Sequence, residues 1–191
     1  MKIFLSILII ILSLQSWTKA DDIRDFEIEG MSIGDSLLDH YTLGEIKNGT
    51  VYKFKSNEFL GIDLSLKNPE VYEMAQFYYK PGKEYIITSV VGAIFYDNIK
   101  NCYKKKDEIV ADLSNSLKSF KILSDSTFEA LEDKTGKSTM TAVVFESNEG
   151  EIGITCSNYS KEFRTKNNYR NNIRVDISTK EFSDRLRYEA Y

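Results

Sequence analysis

Residues 85–96 read YIITSVVGAIFY, and both alternating sets of side chains are largely apolar. Ile86, Val90 and Ile94 fall on one side, and Ile87, Val91, Ala93 and Phe95 on the other. A β-branched run that is apolar on both sides predicts a strand at the centre of a sheet, covered on both faces. On its amino-terminal side, residues 70–79 read as a neighbouring strand. Lys80-Pro81-Gly82-Lys83 joins the two as a hairpin, with proline then glycine as the chemistry of a type II turn. Residues 51–54 and 59–64 are weaker strands.

On the carboxy-terminal side the period changes from two to 3.6 over residues 98–120. Ile99, Cys102, Tyr103, Ile109, Val110, Leu113, Leu117 and Phe120 form one stripe, while residues 104–108 and Asp112 mostly face out. A connection over residues 121–138 leads to strands over 139–146 and 151–158. A loop of about a dozen residues then precedes a strand over 172–178, where Ile173, Val175 and Ile177 alternate with polar residues. Ser178 with Glu181 three residues on predicts the cap of a last helix carrying Phe182 and Leu186. Before the sheet, Ser32 with Asp35 and Thr42 with Glu45 have capping-box spacing and predict short helices near 34–40 and 43–48. The expected fold is α+β: a mainly antiparallel sheet with one long amphipathic helix, short amino-terminal helices and a carboxy-terminal helix. Phe77-x4-Gly82-x3-Ile86 echoes Phe145-x4-Gly150-x3-Ile154, which reads as two hairpins of similar register rather than a duplication.

Residues 1–20 have the pattern of a signal peptide: Lys2, an apolar run over 3–14, and Thr18-Lys19-Ala20 before a cut between Ala20 and Asp21. About 12 apolar positions fall short of the roughly 20 that span a bilayer, so no transmembrane anchor is expected after cleavage. No cysteine stands at the cut to carry a lipid. The remaining residues 21–191 are expected to form a single domain. Residues 1–20 carry two of the 25 basic residues and none of the 29 acids, so the net charge moves from −4 to −6 on removal. That balance argues against nucleic acid as a partner.

An exported chain with two cysteines, Cys102 on the helical stripe and Cys156 on a strand face with Ile152 and Ile154, favours a helix-to-sheet disulfide over two buried thiols. Cysteines 54 positions apart are no CxxC redox motif. Gly136-Lys137-Ser138-Thr139 is not a phosphate loop, because Leu131 stands where the first glycine belongs and a strand pattern follows. His40 is the single histidine, and no zinc-like cluster is present, so neither a metal nor another cofactor is expected. On a helix Ser36 and His40 would be i,i+4 neighbours and the only nucleophile–base candidates; a mid-helix serine lacks the exposed turn and free donors of acyl transfer.

Residues 159–170, YSKEFRTKNNYR, interleave Tyr159, Phe163 and Tyr169 with Lys161, Arg164, Lys166 and Arg170. Of these, Tyr159, Phe163, Arg164, Lys166, Tyr169 and Arg170 are the candidate contact residues for a peptide, a glycan, another anionic ligand or an envelope protein. The competing description is a solvated loop.

Residues 26–36, FEIEGMSIGDS, resemble the opening of an uncharacterised family of small exported proteins from planktonic marine bacteria. The resemblance continues through Tyr85-Ile86-Ile87, the segment CYKKKDEI from Cys102, DKTGKST from Asp133 and Thr179-Lys180-Glu181-Phe182. It implies a bacterial envelope setting, periplasmic or secreted, and carries no activity. A slighter likeness, through Gly30-Met31-Ser32 before the first helix, is to the small lipoprotein of the β-barrel assembly machinery. Taken together, the expected function is non-catalytic binding of a ligand or partner in the envelope. The alternatives are a small periplasmic hydrolase using His40 or a carboxylate pair, and a purely structural envelope component.

Overall fold

A computed structural model describes residues 22–55, 57–82 and 84–189. The expected signal peptide and its cut between Ala20 and Asp21 lie outside these residues. The fold is α+β. Two short helices, α1 (Leu37–His40) and α2 (Leu43–Asn48), precede strands β1 (Thr50–Lys53), β2 (Leu60–Leu64), β3 (Met74–Tyr79) and β4 (Ile87–Tyr96). Helix α3 (Ile99–Ser116) then leads to β5 (Lys121–Glu129), β6 (Thr139–Glu146) and β7 (Gly150–Asn158). A short α4 (Lys161–Asn167), β8 (Asn171–Thr179) and α5 (Lys180–Glu189) complete the order.

All the strand pairings are antiparallel, in the order β1-β2-β3-β4-β8-β7-β6-β5. The sheet is therefore two four-stranded meanders joined where β4 pairs with β8, and α3 carries the chain from one meander to the far edge of the other. β4 lies at the centre, as its apolar sequence predicts. One detail differs. The register shifts at Tyr78/Tyr79, leaving Thr88 outside the pairing, and Ile87 joins Val90 in the core instead of facing away from it. A bulge adds one residue to one strand and so reverses the side on which the next side chain stands.

One face of the sheet carries Phe77, Val90, Ile173, Val175, Ile177, Ile152, Ile154 and Phe145, all buried in one core with Leu37, Ile46 and Ile28 from the amino-terminal segment. Helix α3 covers this face, and Cys102 is bonded there to Cys156 across 54 positions. The stripe on α3 is only partly covered: Cys102 is buried, but so is Lys106, whose Nζ reaches Asp107 at 2.8 Å.

Other expectations are corrected locally. Ser32 does not cap α1: its amide donates to Asp35 in the preceding turn, and the capping box is Ser36 with Asp39. The Thr42–Glu45 box is present on α2. Gly82 does not take the positive φ of a type II turn; Tyr85 takes φ 51 instead, and its carbonyl accepts from the Leu37 amide. Residues 121–138 are not merely a connection, since β5 forms the sheet edge there. Ser178 does not cap α5. Its hydroxyl donates to Ser89 Oγ at 2.7 Å, and Thr179 Oγ1 accepts from the Phe182 amide. Residues 159–170 are not a plain loop, because Ser160 caps α4 and Asn168 closes it in the left-handed conformation at φ 56.

Candidate functional site

Alternation on β8 sends Ile173, Val175 and Ile177 into the core, so Asn172, Arg174, Asp176 and Ser178 rise from the opposite face. Their neighbours in register are small: Ala93 and Thr155 flank Arg174, while Val91 and Gly153 flank Asp176. Low residues around tall ones leave space above the sheet. Two clefts result, and they meet at Arg174. One, of about 290 Å³, lies between Tyr78, Thr155, Arg174, Asp176, Phe182 and Leu186. The other, of about 390 Å³, lies between Met74, Phe95, Tyr159, Tyr169, Asn172 and Arg174. Helix α5 walls the first through Phe182, whose ring lies 4.8 Å from Tyr78 and 5.1 Å from Phe59.

The polar groups here are unevenly satisfied. Gln76 is fully wired: it donates to Asp63 at 2.9 Å and accepts from the Tyr78 hydroxyl at 2.6 Å and from Arg174 at 3.0 Å. Arg174 also lies against the Tyr78 hydroxyl closely enough to oppose the burial-driven rise of that phenol, and among the described residues it makes no ion pair with a carboxylate. Asn172 donates through Nδ2 to the Arg170 carbonyl at 3.0 Å, which fixes its other end as the acceptor oxygen. That Oδ1 is buried and accepts nothing among the described residues. Ser157 Oγ, opposite Asn172 in register, also has no bond of ordinary geometry; it lies close enough to Tyr159 to influence that phenol, whose own bond goes to Glu132 at 2.8 Å. A buried polar atom without a protein partner costs free energy, so each of these calls for a water, an ion or a ligand.

Asp176 lies on its side over Gly153, where a Cβ would meet its oxygens at 2.5 and 2.6 Å. Burial pushes its carboxyl up to about 6; Arg174 opposes this and Glu151 adds to it. Glu151, on the same face of β7, is raised by burial and restrained by Arg187, which bonds it from α5.

The predicted contact residues divide. Tyr159 is 6 % exposed and packs with Phe163 and Tyr169 at centroid distances of 5.6 and 4.9 Å. Tyr159, Tyr169 and Arg170 line the second cleft, Arg170 lying 4.6 Å over the Phe95 ring and 3.6 Å from Glu73. Phe163 and Lys166 line a separate shallow hollow beside Asp133, and Arg164 buries its Nε without a partner. No hydrogen bond joins Ser36 to His40. Ser36 Oγ donates to the Glu84 carbonyl and accepts from the Leu38 amide, while His40 ends the helix 3.7 Å from Asp35.

The residues missed from sequence are Asn172, Arg174, Asp176, Thr155 and Ser157. Their signal was the polar half of the 172–178 alternation, whose apolar half located the strand. A larger hollow of about 600 Å³ at the sheet edge, lined by Tyr41, Glu45, Asp63 and Glu73, offers less chemistry. Its acids are already engaged: Glu45 by Lys67 at 2.9 Å, Asp63 by Tyr52 and Gln76, Glu73 by Arg170 and the Phe95 amide. The Gly136-Lys137-Ser138 turn is organised by buried Asp133, held down at about 2 by hydrogen bonds from Ser138, Thr135 and Ser160. No family model, curated protein or solved structure matches the chain.

Proposed function

We propose that this chain is an exported, non-catalytic binding protein of the bacterial envelope, and that its ligand occupies the paired clefts on the polar face of β8. The observation that carries this is Arg174: it lines both clefts, is held from the β3 side by Gln76 and Tyr78, and forms no ion pair with a carboxylate among the described residues. A guanidinium left open on a floor of small side chains suits recognition of an acceptor group. The leader pattern and the Cys102–Cys156 bond suit an oxidising compartment, and the resemblance to small exported bacterial proteins points the same way. Helix α3 serves as the amphipathic brace of the opposite face. Among the described residues no helix is long and apolar enough to cross a membrane.

The test is a thermal-shift screen of a fragment library holding acids, amines, amides and neutral sugars, run on the native chain and on Arg174→Met. Binders that stabilise the native chain and fail to stabilise the folded variant support the proposal. Binders unaffected by the substitution contradict it.

One observation favours a second reading. Asp176 and Glu151 rise from neighbouring strands on one face, and both carboxyls are raised. A small hydrolase would use this pair as acid and base. Turnover abolished by Asp176→Asn, with an acidic limb near pH 6, would establish it.

A further inference from the structure

Every second residue from 170 to 176 brings a polar group to the clefts, and the groups alternate in kind: Arg170 donates, Asn172 Oδ1 accepts, Arg174 donates, Asp176 accepts. Arg174 and Asp176 form no direct ion pair, although Arg174 still favours the charged carboxylate. The first turns toward Gln76 on β3, and the second lies over Gly153 on β7. Opposite charges that diverge within one cleft leave a dipolar site. Asn172 adds an independent sign, an amide that is 8 % exposed with its acceptor oxygen unmet.

The ligand complementary to this order carries a cationic donor, an acceptor, a donor and an acceptor in sequence. An extended peptide with a free amino end has that order: ammonium, first carbonyl, a later N–H, then carbonyl or carboxylate. Resting on the paired clefts as the binding site, we propose that they hold a short peptide along β8. Its amino terminus sits at Asp176, a carbonyl at Arg174, an N–H at Asn172, and an apolar first side chain lies against Tyr78, Phe182 and Leu186. Its far end reaches Arg170 between Tyr169 and Phe95. Strand geometry of about 3.3 Å per residue makes the span from 170 to 176 roughly 20 Å, matching an extended peptide of about six residues. The polar face of the sheet supplies no free strand edge here, so recognition is by side chains and not by strand addition.

The probe is a set of hexapeptides with Phe, Leu or Met first and five alanines after, each with its amino end free or acetylated, titrated by calorimetry. Free-ended peptides should bind, and acetylation should weaken them about tenfold or more, since it removes a hydrogen bond between charged groups. In Asp176→Asn the acetylated and free forms should bind alike. In Arg174→Met both should weaken together. Equal binding of the two forms to the native chain overturns the placement of the amino end. If no hexapeptide binds while fragments dependent on Arg174 do, the clefts stand as the site and the peptide is wrong. If neither binds, both proposals fall. The acetylation comparison uses the native chain, so it holds even if a variant fails to fold.

Discussion

The carboxylate of Asp176 rests on the bare backbone of Gly153, so close that a methyl group on Gly153 would stand 2.5 Å from one of its oxygens. The obstacle is the far end of a side chain and not backbone, so Gly153→Ala should fold and displace the carboxylate from its bed. Ligand binding that uses Asp176 should weaken several-fold while the far-ultraviolet circular dichroism stays native. Calorimetry and thermal melts on the variant check both halves.

Asp176 also gives a stability signature. Its carboxyl rises from 3.8 to about 6 on folding, because burial and Glu151 outweigh Arg174 and the Gly153 amide. Glu151 is in turn held by Arg187, with Lys180 nearby. The folded state therefore binds the proton more tightly. Stability from this group is full below pH 3.8 and is lost as the pH rises through 6, at most about 3 kcal/mol and less where water reaches the half-buried group. Asp176→Asn should be more stable than the native chain at pH 8 and similar to it at pH 4, as read from urea unfolding at the two values. A site that sacrifices stability in this way is expected where binding needs the charge.

Asp133 should act with the opposite sign. Hydrogen bonds from Ser138, Thr135 and Ser160 hold its carboxyl at about 2, below the ordinary 3.8. Its contribution is present above pH 3.8 and lost as the pH falls toward 2. Asp133→Asn should lower the melting temperature at pH 7 and flatten the acid limb of a melting-temperature profile. It should leave binding at the Arg174 clefts intact.

The Cys102–Cys156 bond closes a loop of 54 positions across the core face. On the chain-entropy model that constraint is worth about 4 kcal/mol. The Cys102→Ser, Cys156→Ser double variant should unfold at correspondingly lower denaturant, and the native chain, unfolded without reductant, should show no alkylatable thiol. Two labelled thiols per chain in material from an oxidising compartment would contradict the bridge.

Much of the framework was legible because burial writes itself into period. Both apolar sides of 87–96 placed β4 at the centre, and the single apolar side of 173–177 placed β8 beside the core. β5 was not legible: nearly all of its residues are exposed, so Lys121–Glu129 carries no alternation to read. The α4 turn was hidden by brevity, one capping serine and seven residues among charges. The bulge at Thr88 follows from pairing with β3, which no local pattern encodes. Of the contact residues expected at 159–170, Tyr159, Tyr169 and Arg170 line a cleft, while Phe163 and Lys166 line another hollow. Arg174 and Asp176 escaped notice because polar residues on a strand ordinarily face solvent, and only the fold reveals that α4 and α5 raise walls around them.

Amide-resolved NMR of the protein with its tightest binder from the fragment and hexapeptide sets tests the central claim most directly. The predicted result is shifts concentrated on 91–95, 153–157 and 172–178, abolished by Arg174→Met. Shifts concentrated instead on α3, on β5 or around the Glu45–Glu73 hollow would place the binding elsewhere and contradict it.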